Sequence, residues 1–263
     1  MRKKLEFFLY KIFKGTTNKC GDQIVKHIKS KNKKTKFLST LNTNSLLLIN
    51  NDEKFEDALI ASNWIIPDGI GAVLACKCLG LKIQQRISGT EIFNELNFKL
   101  GKKKNYKYFF FGSTKKNLVL ITNKMKLDYP NIKIVGYLSP PFKNTFSKTE
   151  TNKIINFINK KKPDVLWVGL TQPKQEKWAH ENLDRLNVKF VGTIGAVFDF
   201  FSGQVKRAPK VTQDLGLEWF YRILQDPARL WKRYLEIVPK FLIYSILDII
   251  GFYRHPYISK GDK

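Results

Sequence analysis

From about residue 37 to residue 191, short apolar runs alternate with longer stretches in which hydrophobic positions recur every three or four residues. The runs read as buried strands and the recurring positions as amphipathic helices. Phe37-Leu38-Ser39-Thr40-Leu41 predicts a first strand passing into a polar turn, Asn42-Thr43-Asn44. Asn51 and Asp52 offer a cap for a helix with Phe55, Ala58 and Leu59 on one face. Trp64-Ile65-Ile66 predicts a second strand closed by Pro67, with a helix from Gly69 to about Gly80 after it. The loop Gln85-Arg86-Ile87-Ser88-Gly89-Thr90 leads to a helix beginning near Glu91. Further strands are predicted at 106–111, 132–135, 163–168 and 188–191. Helices are expected from Lys115 to Leu127, after the capping-box pair Ser147 and Glu150, and after the polar exit Gly169-Leu170-Thr171-Gln172-Pro173-Lys174-Gln175-Glu176.

This alternation predicts an α/β, Rossmann-like fold: a mostly parallel sheet with helices on both faces and ligands at the strand ends. The chain divides into a basic amphipathic leader at 1–30, an α/β core at 31–210 and a C-terminal helical appendage at 211–263. Gly112-Ser113-Thr114 at a helix start could accept a phosphate. Gly69-Ile70-Gly71-Ala72-Val73-Leu74 lacks the third small residue of a dinucleotide fingerprint, and no P-loop spacing occurs. No cofactor is expected.

Composition narrows the partners. A chain of 263 residues with 43% hydrophobic content can bury one substantial core. A net charge of +25 points to an anionic partner: nucleic acid, a phosphorylated substrate or an acidic membrane surface. Cys20, Cys76 and Cys78 lack the spacing of a disulfide framework or a zinc site, so a reducing compartment is expected. Residues 1–14 have neither the apolar core nor the cleavage site of a signal peptide. The apolar run 241–253 is too short to span a bilayer and contains Asp248.

The chemistry concentrates where Pro67-Asp68-Gly69-Ile70-Gly71 meets the sheet edge. Asp68 stands where an open α/β sheet meets its ligands, and Gly69 and Gly71 let a bound group approach the backbone; a helix cap is the plainer role for Asp68. His27, His180 and His255 are dispersed and no D-x-D run occurs, so no obligatory metal is predicted. Asp199 reads as a cap or a partner for a buried arginine, and Arg207 as a turn anchor or a phosphate ligand. Glu218 and Trp219 read as docking residues, and Arg222, Arg229 and Arg233 fall at near-helical spacing.

Taken in order, Pro67-Asp68-Gly69-Ile70-Gly71, Arg86-Ile87-Ser88-Gly89, Pro173-Lys174-Gln175-Glu176, Phe198-Asp199-Phe200-Phe201-Ser202-Gly203, Arg207-Ala208-Pro209, Gly216-Leu217-Glu218-Trp219 and Asp226-Pro227-Ala228-Arg229 resemble the WecG/TagA/CpsF glycosyltransferase family. The resemblance implies inverting transfer of an N-acetylmannosamine-type sugar from a UDP donor to a polyprenyl-diphosphate-linked N-acetylglucosamine. It places the enzyme peripherally at the cytoplasmic membrane face, in the synthesis of teichoic-acid linkage units or other surface polysaccharide. It also implies Asp68 as general base, with Thr40, Asn42, Arg86 and Gln175 lining the site. Arg222, Arg229 and Lys232 or Arg233 belong to an appendage that completes the site near the membrane. Thr171-Gln172 departs from the family's small-residue pattern before the proline. Independently of the family, a carboxylate for the acceptor proton and guanidiniums for the departing diphosphate, among which Arg207 is a candidate, suit such a transfer. The apolar residues from Leu235 to Phe252 suit an anionic membrane interface, self-association as a homo-oligomer, or core packing. A basic nucleic-acid-binding protein is the alternative, but the chain lacks a helix-turn-helix, zinc or RNP signature.

Overall fold

A computed structural model describes residues 11–32, 34–49, 51–78, 80–102, 105–214, 217–228, 231 and 239. Six strands form one sheet: β1 (Lys36–Leu41), β2 (Trp64–Pro67), β3 (Tyr106–Gly112), β4 (Ile132–Leu138), β5 (Val165–Gly169) and β6 (Phe190–Thr193). Their order is β2-β1-β6-β5-β3-β4, and each neighbouring pair is parallel. The helices are α1 (Thr17–Lys29), α2 (Thr43–Ile49), α3 (Glu53–Ala61), α4 (Ile70–Cys78), α5 (Gly89–Gly101), α6 (Lys115–Asp128), α7 (Lys148–Lys161), α8 (Lys174–Glu181), α9 (Val197–Phe201), α10 (Lys210–Asp214) and α11 (Glu218–Gln225).

The apolar runs are continuous because parallel strands are covered on both faces. Successive side chains point to opposite faces. Leu38, Tyr108, Phe110, Trp167 and Phe190 therefore pack with residues of α1, α5, α6 and α9. Phe37, Phe109, Phe111, Leu166 and Val168 pack with α7 and α8 on the other face. A third cluster joins Leu41 and Ile65 to Phe55 and Leu59 of α3 and Ala72 and Val73 of α4. Trp167 stands at the centre of the first cluster, edge-on to Phe93 at 5.1 Å and to Phe190 at 5.7 Å between centroids.

Three elements differ from the pattern's forecast. Asn42-Thr43-Asn44 is not a plain turn but the start of α2: the Asn42 Oδ1 accepts from the Ser45 amide at 3.0 Å, so the polar residues are a cap and first turn. Strand β4 runs on to Leu138, held by its pairing with β3 across a register shift at Tyr108/Phe109. Helix α1 has Cys20, Ile24 and Ile28 at four-residue spacing, all buried against the core. Of the basic segment 1–14, residues 1–10 lie outside the described residues; beyond them, the Phe13 amide donates to the Ile65 carbonyl at 2.8 Å. Among the described residues no helix is long and apolar enough to cross a membrane.

Because every strand runs the same way, residues 41–42, 67–68, 112–113, 138–139, 169–170 and 193–194 leave the sheet along one edge. Gly112 is the tightest point on it. Its φ is +118°, and a Cβ there would stand 2.3 Å from the Gly169 carbonyl oxygen, which accepts from the Ser113 amide at 3.0 Å. Backbone cannot yield as a side chain can, so Gly112→Ala is expected to destabilise the fold by about 2 to 4 kcal/mol, read as a lowered urea midpoint.

Candidate functional site

Asp68 is fixed from two sides. Its amide donates to the Leu41 carbonyl at 2.7 Å, which ties the end of β2 to the end of β1. The Ile87 amide donates to the Pro67 carbonyl at 3.0 Å, bringing the loop before α5 to the same place. Ser88 begins α5 with a capping box: its hydroxyl accepts from the Glu91 amide at 3.3 Å, and its own amide donates to the Glu91 carboxylate at 2.8 Å. The Gly89 amide, next in line, lies near enough to the Asp68 carboxylate to favour its ionised form. Asp68 therefore faces the positive end of a helix from another part of the chain.

That contact does not keep the acid strong. Burial raises the Asp68 pKa to about 6, with the negative charge of Glu218 adding to the rise and Glu91 contributing a smaller push. Arg86 and the Gly89 amide oppose them. The outcome is a carboxyl that is ionised at neutral pH yet more basic than an ordinary aspartate.

Two guanidiniums join the start of α5, and one of them, Arg86, acts on Asp68 directly. Arg86 Nη2 pairs with Glu91 Oε1 at 3.1 Å. Arg207 Nη2 donates to the Ser88 hydroxyl at 3.0 Å, and its Nε lies 3.6 Å from Glu218 Oε1. Glu218 begins α11, so this ion pair ties the segment beyond the sheet to the cap of α5. Arg222, one turn along α11, lies over the Phe200 ring at 5.4 Å. Arg229, Lys232 and Arg233, singled out by the sequence, lie outside the described residues.

The next strands contribute an amide-rich rim. Gln172 Nε2 donates to the Ser45 hydroxyl at 3.0 Å and to the Thr40 carbonyl at 3.4 Å, while its Oε1 accepts from Asn44 at 3.2 Å. Thr40 and Asn42 are thereby joined to the β5 exit, Thr40 through its carbonyl and Asn42 through Ser45. Thr171 has φ +68°, an uncommon conformation for a β-branched residue, and it occurs at the point where this chain departs from the family pattern. Gln175 and Glu176 follow on α8, 2% and 0% exposed, with Gln175 Nε2 donating to Glu176 Oε1 at 2.9 Å. Further along the edge, Asn117 Nδ2 donates to Asp199 Oδ1 at 2.8 Å and to the Ser113 hydroxyl at 2.9 Å.

The structure thus brings Asp68, Arg86 and Arg207 into one network and sets Thr40, Asn42 and Gln175 along the adjoining strand ends. Sequence reading passed over Glu91 as a partner of Arg86, and over Gln172 and Glu176 as members of the rim. The Ser88-x-x-Glu91 capping spacing was a signal for the first; the polar exit and motif at 169–176 contained the other two, but nothing local marked what they would contact. Among the described residues no group of three or more His, Cys, Asp or Glu could hold a metal ion. Cys20 and Cys76 are free and buried, with thiols pushed up to about 12 by that burial.

Known proteins supply the context for this geometry. Residues 5–254 match the model of the glycosyl transferase WecG/TagA/CpsF family. An N-acetylglucosaminyldiphosphoundecaprenol N-acetyl-beta-D-mannosaminyltransferase of Bacillus subtilis (strain 168) is 39% identical over 207 residues, 78% of this chain and 77% of its own. The protein of the same name from Bacillus spizizenii is 35% identical over 189 residues, 72% of this chain and 70% of its own. That from Staphylococcus aureus (strain MW2) is 27% identical over 232 residues, covering 84% and 85%. With a family model spanning nearly its whole length and relatives matched over more than two thirds of theirs, this chain belongs to the WecG/TagA/CpsF family of glycosyltransferases.

Proposed function

We propose that the protein transfers an N-acetylmannosamine-type residue from a UDP-sugar to a polyprenyl-diphosphate-linked N-acetylglucosamine, with inversion, in the synthesis of teichoic acid or another cell-surface polysaccharide. The observation that carries this reading is the Asp68 carboxyl held at the sheet's carboxyl edge within the influence of Arg86, with Arg207 bonded to the adjoining Ser88 cap. The names of the relatives support the sugar and the acceptor. Asp68 removes the proton from the acceptor hydroxyl as that oxygen attacks the anomeric carbon. The C–O bond to UDP breaks with its electron pair on the diphosphate, and the guanidiniums stabilise that charge. A single displacement from the face opposite UDP inverts the anomeric centre. Positive charge from side chains makes a resident metal unnecessary in this scheme.

A lipid-linked acceptor implies a membrane surface, and this reading takes it to be the cytoplasmic face, with the protein bound peripherally. Helix α11 suits that surface. Leu217, Phe220 and Leu224 are exposed along it, while Arg222 is held over Phe200. Arg229, Lys232 and Arg233 continue the same basic stretch in sequence and are candidates to bind the diphosphate.

Asp68→Asn is expected to lower transfer by about 10²- to 10⁴-fold in a purified lipid-acceptor assay while UDP affinity and melting temperature hold. Wild-type turnover in that variant would remove Asp68 from the mechanism. The base must be ionised, and its pKa is raised to about 6, so kcat/KM should climb about tenfold per pH unit below 6 and level off above it. Removing a neighbouring negative charge relieves part of that rise, so Glu218→Gln should move the midpoint to lower pH; a midpoint that stays put or rises contradicts the assignment. Arg222→Ala should impair transfer more than it impairs sedimentation with anionic liposomes, because the diphosphate loses a cation while the apolar face of α11 is kept.

A further inference from the structure

Glu176 has no part in the scheme above, yet it is the most deeply enclosed carboxyl near the strand ends, 0% exposed on α8 between β5 and β6. Burial pushes its pKa up to about 7, against hydrogen bonds that pull it down, that from Gln175 first among them. A neutral side chain of the same shape would sit there at less cost. The charged groups at the α8–α3 contact, Lys177 and Asp52, pair with each other at 2.8 Å, and α8 also carries His180.

What Glu176 does is hold one end of an amide. It accepts from Gln175 Nε2 at 2.9 Å, and above pH 7, where it is ionised, it can only accept, so there the nitrogen of Gln175 is fixed toward it. The other end, Gln175 Oε1, is buried and has no hydrogen-bond partner within the protein. Such an orphaned acceptor is rare in a folded interior. Next to it runs the turn after β6, where Gly195 has φ +46° and a Cβ would stand 3.4 Å from Oε1.

We propose that Glu176 is a positioning residue for sugar transfer: by fixing the Gln175 amide nitrogen, it turns the Gln175 carbonyl oxygen to accept a hydrogen bond from an N–H or O–H of the transferred sugar. This rests on the reaction proposed above. The class of ligand group follows from the atom presented: an acceptor selects a donor, and the nucleotide's phosphates offer none.

The test compares wild type, Glu176→Gln and the exchange Gln175→Glu/Glu176→Gln in the full chain, using calorimetric titration with UDP and with UDP-N-acetylmannosamine. A glutamine at 176 offers both a donor and an acceptor, so the Gln175 amide is no longer held one way. The single variant should bind the UDP-sugar roughly tenfold more weakly, with KM rising more than kcat falls, while UDP affinity is unchanged. The exchange restores one acceptor-only group and one amide, still with an oxygen facing the sugar, and should recover most of the loss. Stability separates this from a structural role. A carboxyl whose folded pKa is raised from 4.5 to about 7 stabilises the fold fully below 4.5 and loses that contribution as pH rises through 7. At pH 8, therefore, Glu176→Gln should melt no lower than wild type. Unchanged UDP-sugar affinity, equal losses for UDP and UDP-sugar, or a lowered melting temperature with no recovery in the exchange would overturn the proposal. If wild type binds neither nucleotide, the donor assignment fails by itself. The Gln175 side-chain NH2 signal in ¹⁵N-edited NMR then decides the positioning role separately: a shift in Glu176→Gln supports it, and an unmoved signal refutes it.

Discussion

Parallel pairing of all six strands is the constraint on which the rest of the molecule depends. It forces each strand to be covered on both faces, which accounts for the unbroken apolar runs and for helices above and below. It also sends every strand out along the same edge, so residues more than a hundred positions apart in sequence meet there. Gln172 reaching the Thr40 carbonyl and Arg207 reaching the Ser88 hydroxyl are consequences of that geometry. Neither contact has any local cause.

The edge is electrostatically divided. On the β2 side, the start of α5 and Arg86 act on Asp68, but burial and nearby carboxylates more than offset them, and the acid is weakened. On the β5 side, amides and hydroxyls bond largely to one another, and the buried carboxyl Glu176 anchors Gln175. A sugar transfer asks for both kinds of surface: a base and cations where bonds change, and neutral directional groups where the sugar is recognised. The charge of +25 fits anionic substrates held at a membrane surface, although most of that charge resides in lysines spread along the chain.

Helix α11 links the site to whatever lies beyond the sheet. Its Glu218 reaches Arg207, and Arg207 reaches the cap of α5, whose Gly89 amide lies near Asp68. A displacement of α11 would therefore change both the placement of a cation and the basicity of the proposed base. The same helix exposes Leu217, Phe220 and Leu224. The exposed face of α11 and the basicity of Asp68 are linked through one short chain of polar contacts.

The sequence by itself determined the alternation of strands and helices, because apolar runs and helical spacing are local consequences of burial. It also singled out Asp68, from the proline and glycines beside it at a strand end, and Arg86 and Arg207 as candidates, and the ordered motifs pointed to the family. It misread the start of α2, where Asn42 and Ser45 trade hydrogen bonds that a polar triplet alone does not reveal. It stopped β4 early, because only pairing with β3 carries the strand past Val135. Strand order, the meeting of Asp68 with the Gly89 amide, and the burial that weakens Asp68 and Glu176 were decided by tertiary structure alone. Desolvation and long-range hydrogen bonds depend on what surrounds a group in space, and neighbours in sequence say little about that.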